Sequence, residues 1–161
     1  MNDPQNVITP RIVLQVLFFV VLLPFLPLLI SGRYNWSQDF DMPLKIIALI
    51  VILAGNILGT YALMENRFFS GVVRLQTDRG QHVVSSGSYR WVRHPGYAGA
   101  LLTYWGAPIF LGSLWMFIPV MFITVILVVR TNLEDNTLQE KLDGYREYAG
   151  RVRYRLLPGV W

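Results

Sequence analysis

The sequence predicts an all-α integral membrane protein with about four transmembrane helices, and three observations carry that prediction. Hydrophobic residues make up 53% of the 161 and charged residues only 15%. The apolar residues form long unbroken runs rather than the three-to-four spacing of a surface helix. Basic residues lie between and after those runs, as in loops on the cytoplasmic side of a bilayer. The net charge of +4 is therefore a matter of membrane topology, and nucleic acid is set aside as a partner. There is no cysteine, which excludes disulfides, thiolate metal sites and a cysteine nucleophile. His82 and His94 are the two imidazoles, too few for a histidine-rich metal site, so no metal is expected.

Taken in order, residues 1–10 are short and polar. Residues 12–30 are almost wholly apolar and long enough to cross a bilayer, which takes roughly 20 residues; a span there is expected, kinked by Pro24 and Pro27. It is too long for a signal-peptide core and no small-residue cleavage site follows. A charge-balanced loop, 31–43, is placed outside. Residues 44–64 form the second span, in which Gly55 and Gly59 permit close helix packing and Asn56 is expected to bond across helices. The loop 65–96 is basic, with a turn at Thr77-Asp78-Arg79-Gly80, a short extended piece from Gln81 to Ser85 and a second turn at Ser86-Gly87. Residues 97–112 and 114–130 form a tight helical hairpin about Gly112 and Ser113, its arms kinked by Pro108 and Pro119. The tail, 131–161, is basic and amphipathic. Both termini and the long loop are thereby cytoplasmic, and the single domain covers 1–161.

Within this frame Ser86 to Gly99 joins a basic loop to an apolar helix. Proline suits a helix's first turn, so the helix starts near Pro95 with Arg93 and His94 just outside it. Backbone N–H groups, the positive end of the helix dipole and these side chains converge there, which suits a carboxylate or phosphate. A basic membrane flank followed by a helix start accounts for the same residues. Arg130 and Glu134, four apart where the last span emerges, share a helix face if the helix continues. A snorkelling arginine paired with a glutamate is also a common way to finish a membrane helix. The hairpin returns them to the membrane face of Pro95, making the two clusters neighbours. Tyr145, Tyr148 and the run from Arg151 to Trp161 then read either as an interfacial anchor or as a lid over the joint. Together these elements describe a pocket for an amphiphilic, charged cofactor.

The ordered set Ser86-Gly87-x-Tyr89-x-x-x-Arg93-His94-Pro95-x-Tyr97-x-Gly99, a hydrophobic hairpin, Arg130-x-x-x-Glu134-Asp135-x-x-Leu138 and Gly144-Tyr145-x-x-Tyr148-x-x-x-Val152 resembles the isoprenylcysteine carboxyl methyltransferase family. Those integral membrane enzymes use S-adenosylmethionine, and the phospholipid N-methyltransferases are their relatives. The resemblance covers roughly the second half of the chain. It implies a cytoplasmic cofactor site formed by Gln81, His82, Val83, Val84, Tyr89, His94, Pro95, Gly96, Tyr97 and Glu134. It also implies that Arg130 faces the methyl acceptor, so that Arg130 and Glu134 are the catalytic candidates. Asp135 departs from the family, which often has a second glutamate there. The acceptor implied is a membrane lipid or other lipophilic molecule, most readily one ending in a carboxylate. A bacterial inner membrane and a eukaryotic endoplasmic reticulum both satisfy the topology, and the compact size favours the former.

Two other readings stand beside it. Membrane sterol reductases, which use NADPH, share an Arg-His-Pro-x-Tyr-x-Gly motif and a tail similar to Tyr154-Arg155-Leu156-Leu157-Pro158-Gly159, although Ala100 stands where they usually carry an acid. A non-catalytic lipid-binding membrane protein would keep the pocket without the chemistry.

Overall fold

A computed structural model describes residues 40–68 and 80–161. The expected span at 12–30 and most of the loop after it lie outside the described residues, as does most of the Thr77–Gly80 turn. Among the described residues four α-helices follow one another: α1 (Met42–Glu65), α2 (Pro95–Phe110), α3 (Phe117–Lys141) and α4 (Tyr145–Arg151), with single 3-10 turns at Gly87–Arg90 and Leu114–Met116. Residues 81–85 have no regular structure and form no ladder with a neighbour.

The second expected span is α1, within two residues at its start. Pro43 sits in its first turn, where a missing N–H costs nothing, and the Asn66 N–H closes the far end on Ala62 O at 3.0 Å. Its glycines seat α2. A Cβ on Gly55 would come within 2.6 Å of the Gly99 carbonyl oxygen, and one on Gly99 within 2.5 Å of that of Gly55. The backbones thus approach as only small residues allow. Asn56 makes the expected cross-helix bond, donating to Thr103 Oγ1 at 3.3 Å and to Ile52 O at 2.8 Å.

Helices α2 and α3 run antiparallel about a turn at Leu111–Ser113, closed by Ser113 N–H on Pro108 O at 2.9 Å. Near the tip Trp105 Nε1 donates to Thr124 Oγ1 at 3.1 Å. That register brings Tyr97 opposite Arg130 and Glu134 at the open end. Pro108 lies inside α2 as expected. Pro119 is the third residue of α3, in the first turn, where a proline starts a helix rather than kinking it. The last expected span, 114–130, also does not stop at Arg130. Between there and Gly144 no breaker intervenes, so α3 carries Glu134 and Asp135 a further turn beyond and ends at Lys141.

Among the described residues two helices are long and apolar enough to cross a membrane, Met42–Glu65 and Leu114–Lys141, the latter counted with its leading 3-10 turn. Their outer faces carry large side chains with nothing over them, such as Ile57 at 69% and Phe122 at 73% exposed, the mark of a membrane protein whose solvent on that side is lipid. Helix α2, at 16 residues, spans about 24 Å, short of the ~30 Å hydrocarbon layer. Toward the polar end of the helices the packing becomes aromatic: Ala62, Tyr89, Tyr145 and Tyr148 form one cluster. Tyr97, Leu101 and Leu156 form a second. The tail is thereby drawn back onto the start of α2.

Candidate functional site

The site lies where α1 ends and α2 begins, under α4. A one-turn helix at Gly87–Arg90 delivers Tyr89. It is reached through Gly87, whose φ of +55° favours glycine and whose Cβ would meet the Tyr61 ring at 3.0 Å. Ser86 Oγ donates to Glu65, fixing that loop to the end of α1. Pro95 then starts α2 with His94 as its cap residue, as the sequence requires.

A pocket opens here with about 520 Å³ of atom-free space, the open solvent at its mouth included. Of the residues expected to form it, Gln81, His82, Val83, Val84, Tyr89, His94, Gly96, Tyr97 and Glu134 line the wall. Pro95 does not; it is fully buried as the first residue of α2. Arg130 also lies off the wall. It stands behind Tyr97, donating from Nε to the Tyr97 hydroxyl at 2.8 Å with its guanidinium 5.7 Å from the ring centroid. The Tyr97 hydroxyl in turn donates to Glu134 Oε2 at 2.7 Å. The two charged residues that helical spacing placed on one face are therefore joined through a tyrosine from the opposite helix.

The open anion site expected at the joint is filled from within. Asp135, fully buried, takes the two side chains offered there: Arg93 Nη2 donates to Oδ2 at 3.1 Å, and His94 Nε2 lies 3.4 Å from Oδ1. Arg93 Nε is 2.9 Å from Oδ1, close enough for charge pairing though misaligned for a hydrogen bond. Three more donors converge on the same carboxylate: Gln139 Nε2 at 2.8 Å, Tyr145 hydroxyl at 3.0 Å and Arg155 Nε at 3.0 Å. Such density is what makes a buried carboxylate tolerable. The backbone N–H groups of Arg93 and His94 are used as well, donating to Tyr154 O and Arg155 O, each at 2.9 Å. Two guanidinium groups against one carboxylate still leave surplus positive charge beside the pocket.

Six wall residues are additional to the cofactor set that the resemblance implies: Arg93, Tyr145 and Tyr148, expected at the joint and its lid, and Asn66, Leu138 and Leu142. Leu138 was signalled by its place one turn after Glu134. Tyr145 and Tyr148 were signalled as a pair three apart, but not their orientation. Tyr148 donates to Tyr89 O at 2.8 Å, and the two tail tyrosines meet edge to face at 5.4 Å. Burial raises the Tyr145 hydroxyl's pKa far above the usual phenol value, and the neighbouring Asp135 charge adds to the rise. Burial does the same for Tyr148. Both hydroxyls are donors at any physiological pH. Among the described residues no cluster of His, Asp and Glu has the make-up of a metal site.

Fold and site together describe a membrane-helix protein with a pocket at its polar end. The chain belongs to the phospholipid methyltransferase family, whose model matches residues 44–143. Its fold is that of the eukaryotic intramembrane Ras methyltransferase ICMT (isoprenylcysteine carboxyl methyltransferase), with a TM-score of 0.73 at 21% identity, covering 96% of this chain and 55% of that one. Curated relatives include a Delta(14)-sterol reductase of Mus musculus, 34% identical over 95 residues, covering 57% of this chain and 23% of the relative. A Delta(14)-sterol reductase of Schizosaccharomyces pombe is 26% identical over 155 residues, covering 86% and 37% respectively. The chain thus spans well under half the length of these reductases.

Proposed function

We propose that the protein is an S-adenosylmethionine-dependent methyltransferase acting on a lipophilic acceptor, most readily a carboxylate as in isoprenylcysteine carboxyl O-methylation. One observation carries the reading: Glu134 on the pocket wall is tied through Tyr97 to Arg130 just outside it. A group for the cofactor and a group for an anionic acceptor thereby stand back to back.

The residues fit the cofactor. S-adenosylmethionine has a sulfonium, an ammonium, a carboxylate, a ribose and a base, and when bound it supplies an activated methyl group for in-line displacement. Glu134 suits the hydroxyls or the cationic centres. Arg93, on the wall and sharing the single Asp135 carboxylate with Arg155, suits the carboxylate. Val83, Val84, Leu138 and the tyrosines offer flat apolar walls to the base. The chain's own work is to position, to exclude water and to aim the acceptor, and no nucleophilic side chain is required. A carboxylate acceptor needs no general base. Arg130 would orient it by a charge-assisted hydrogen bond, with the Tyr97 hydroxyl holding the guanidinium in place. Arg67, Arg90, Arg146, Arg151 and Arg153 lie at the pocket end of the helices, which supports a cytoplasmic placement of that end.

The second reading, an NADPH-dependent lipid reductase, is favoured by the identity of the curated relatives. The electrostatics weigh against it. A dinucleotide phosphate brings several negative charges where S-adenosylmethionine brings one carboxylate and two cationic centres, and this wall sets one arginine, Arg93, already sharing Asp135, beside Glu134. Titration of S-adenosylmethionine and, separately, NADPH into the protein in nanodiscs, with Glu134→Ala as control, decides the matter. Roughly micromolar binding of the sulfonium, worth about −8 kcal/mol and lost in the control, is the expected result. Binding of NADPH alone would overturn the reading.

A further inference from the structure

We infer that Asp135 is a positioning residue for the pocket, a clasp that fixes one of its walls without touching what the pocket holds. Asp135 does not line the pocket. Its carboxylate gathers donors from four separate pieces of chain: Arg93 and His94 at the joint, Gln139 on its own helix, Tyr145 on α4 and Arg155 in the tail. Three of these, Arg93, His94 and Tyr145, do line the pocket. Helix α4 has only seven residues, too few to hold its place by itself. Its wall residues are therefore held by tertiary contacts: Tyr145 donates to Asp135, Tyr148 to Tyr89 O, and Arg93, itself paired with Asp135, donates from Nη1 to Ala149 O and Val152 O. The tail is bound beside them through the Arg93 and His94 N–H groups and the buried Leu156.

The charge pattern makes the clasp cooperative. With the carboxylate present, Arg93 and Arg155 share one counter-ion in a buried site. With it neutralised, the two guanidinium groups repel one another and must be hydrated, and the exposed Arg151 and Arg153 make the tail the part free to leave. Tyr145 and the tail would move, and the pocket would lose its shape while Glu134 and Arg130 keep their places on α3.

The inference rests on the methyltransferase reading for its probe, S-adenosylmethionine, and is tested on the full chain in nanodiscs. Asp135→Asn is expected to raise both Kd and KM for S-adenosylmethionine roughly 10- to 100-fold, with kcat at saturation changed by about twofold or less. Arg155→Gln, whose side chain is 21% exposed and off the wall, should give a smaller rise that Arg155→Lys partly reverses. Trypsin cleavage after Arg151 and Arg153 should quicken in the same order, with or without ligand. Should Asp135→Asn fail to fold, Arg155→Gln decides. A lower Tm with unchanged Kd, KM and cleavage would show Asp135 to be structural only and overturn the inference. A wild-type protein that takes NADPH and not S-adenosylmethionine would overturn the methyltransferase reading instead. The same variants would then be titrated with NADPH, where an unchanged Kd again overturns the clasp.

Discussion

Tyr97 donates its hydroxyl to Glu134 at 2.7 Å while accepting from Arg130 at 2.8 Å, so one phenol from α2 fixes two charged groups on α3. Its ring also lies parallel to that of His94, 5.8 Å away. Tyr97→Phe keeps the ring and the stacking and removes the bridge. Turnover should fall roughly tenfold, the effect of losing one positioning hydrogen bond of about 1.4 kcal/mol. Cofactor Kd should change much less, and steady-state methyl transfer beside a binding titration separates the two effects.

Glu134→Ala and His94→Ala should each weaken S-adenosylmethionine binding, Glu134→Ala by roughly tenfold or more for a lost charge-assisted contact. Arg130→Ala should leave that affinity intact and slow turnover. If Arg130→Ala instead abolishes binding and leaves turnover at saturation normal, the roles are reversed.

Gly99→Ala places a methyl group against the Gly55 carbonyl oxygen and the Gly59 backbone. Overpacking of this kind costs about 1–3 kcal/mol, and the thermal midpoint in detergent should drop. Gly150→Ala, in α4 with no atom within 4 Å of the added carbon, should be neutral or stabilising by up to about 1 kcal/mol. Equal losses in both would show that the α1–α2 contact is not the tight one.

Alkaline pH should unfold the protein steeply. Tyr145 and Tyr148 have folded-state pKa values raised well above the usual 10.0 by burial. Above about pH 10 the unfolded chain releases protons that the folded one keeps, so stability present below that pH is lost as pH rises, by about 1.4 kcal/mol per unit per tyrosine. Denaturant unfolding at pH 9, 10 and 11 measures the slope. Tyr145→Phe should make it shallower even though it also removes a donor from Asp135; an identical slope would show that Tyr145 titrates normally.

Much of the pocket was legible from local order. Pro95 marks the start of α2 because proline's fixed φ and missing N–H suit that turn. The four-residue spacing of Arg130 and Glu134 puts them on one face of any helix that continues. Gly55 and Gly59 follow the rule that small residues let membrane helices approach, and the structure supplies the partner, Gly99. The arrangement of the joint was not legible. Arg93 and His94 read as an open anion site because the carboxylate that occupies it is 42 and 41 residues away, and spacing carries no record of such a pairing. Pro119 read as a kink because its distance from the helix start depends on where the 3-10 turn ends.

By itself the sequence determined the apolar helices, their polar ends and the list of side chains available at the membrane face, since these follow from hydrophobic transfer and backbone stereochemistry acting over a few residues. Only the tertiary structure decided that Asp135 is the internal anion, that Tyr97 stands between Glu134 and Arg130, and that the tail forms part of a wall. Those choices depend on which buried charges find partners once α2, α3 and the tail are packed, and a buried charge takes whichever donors the fold brings within reach.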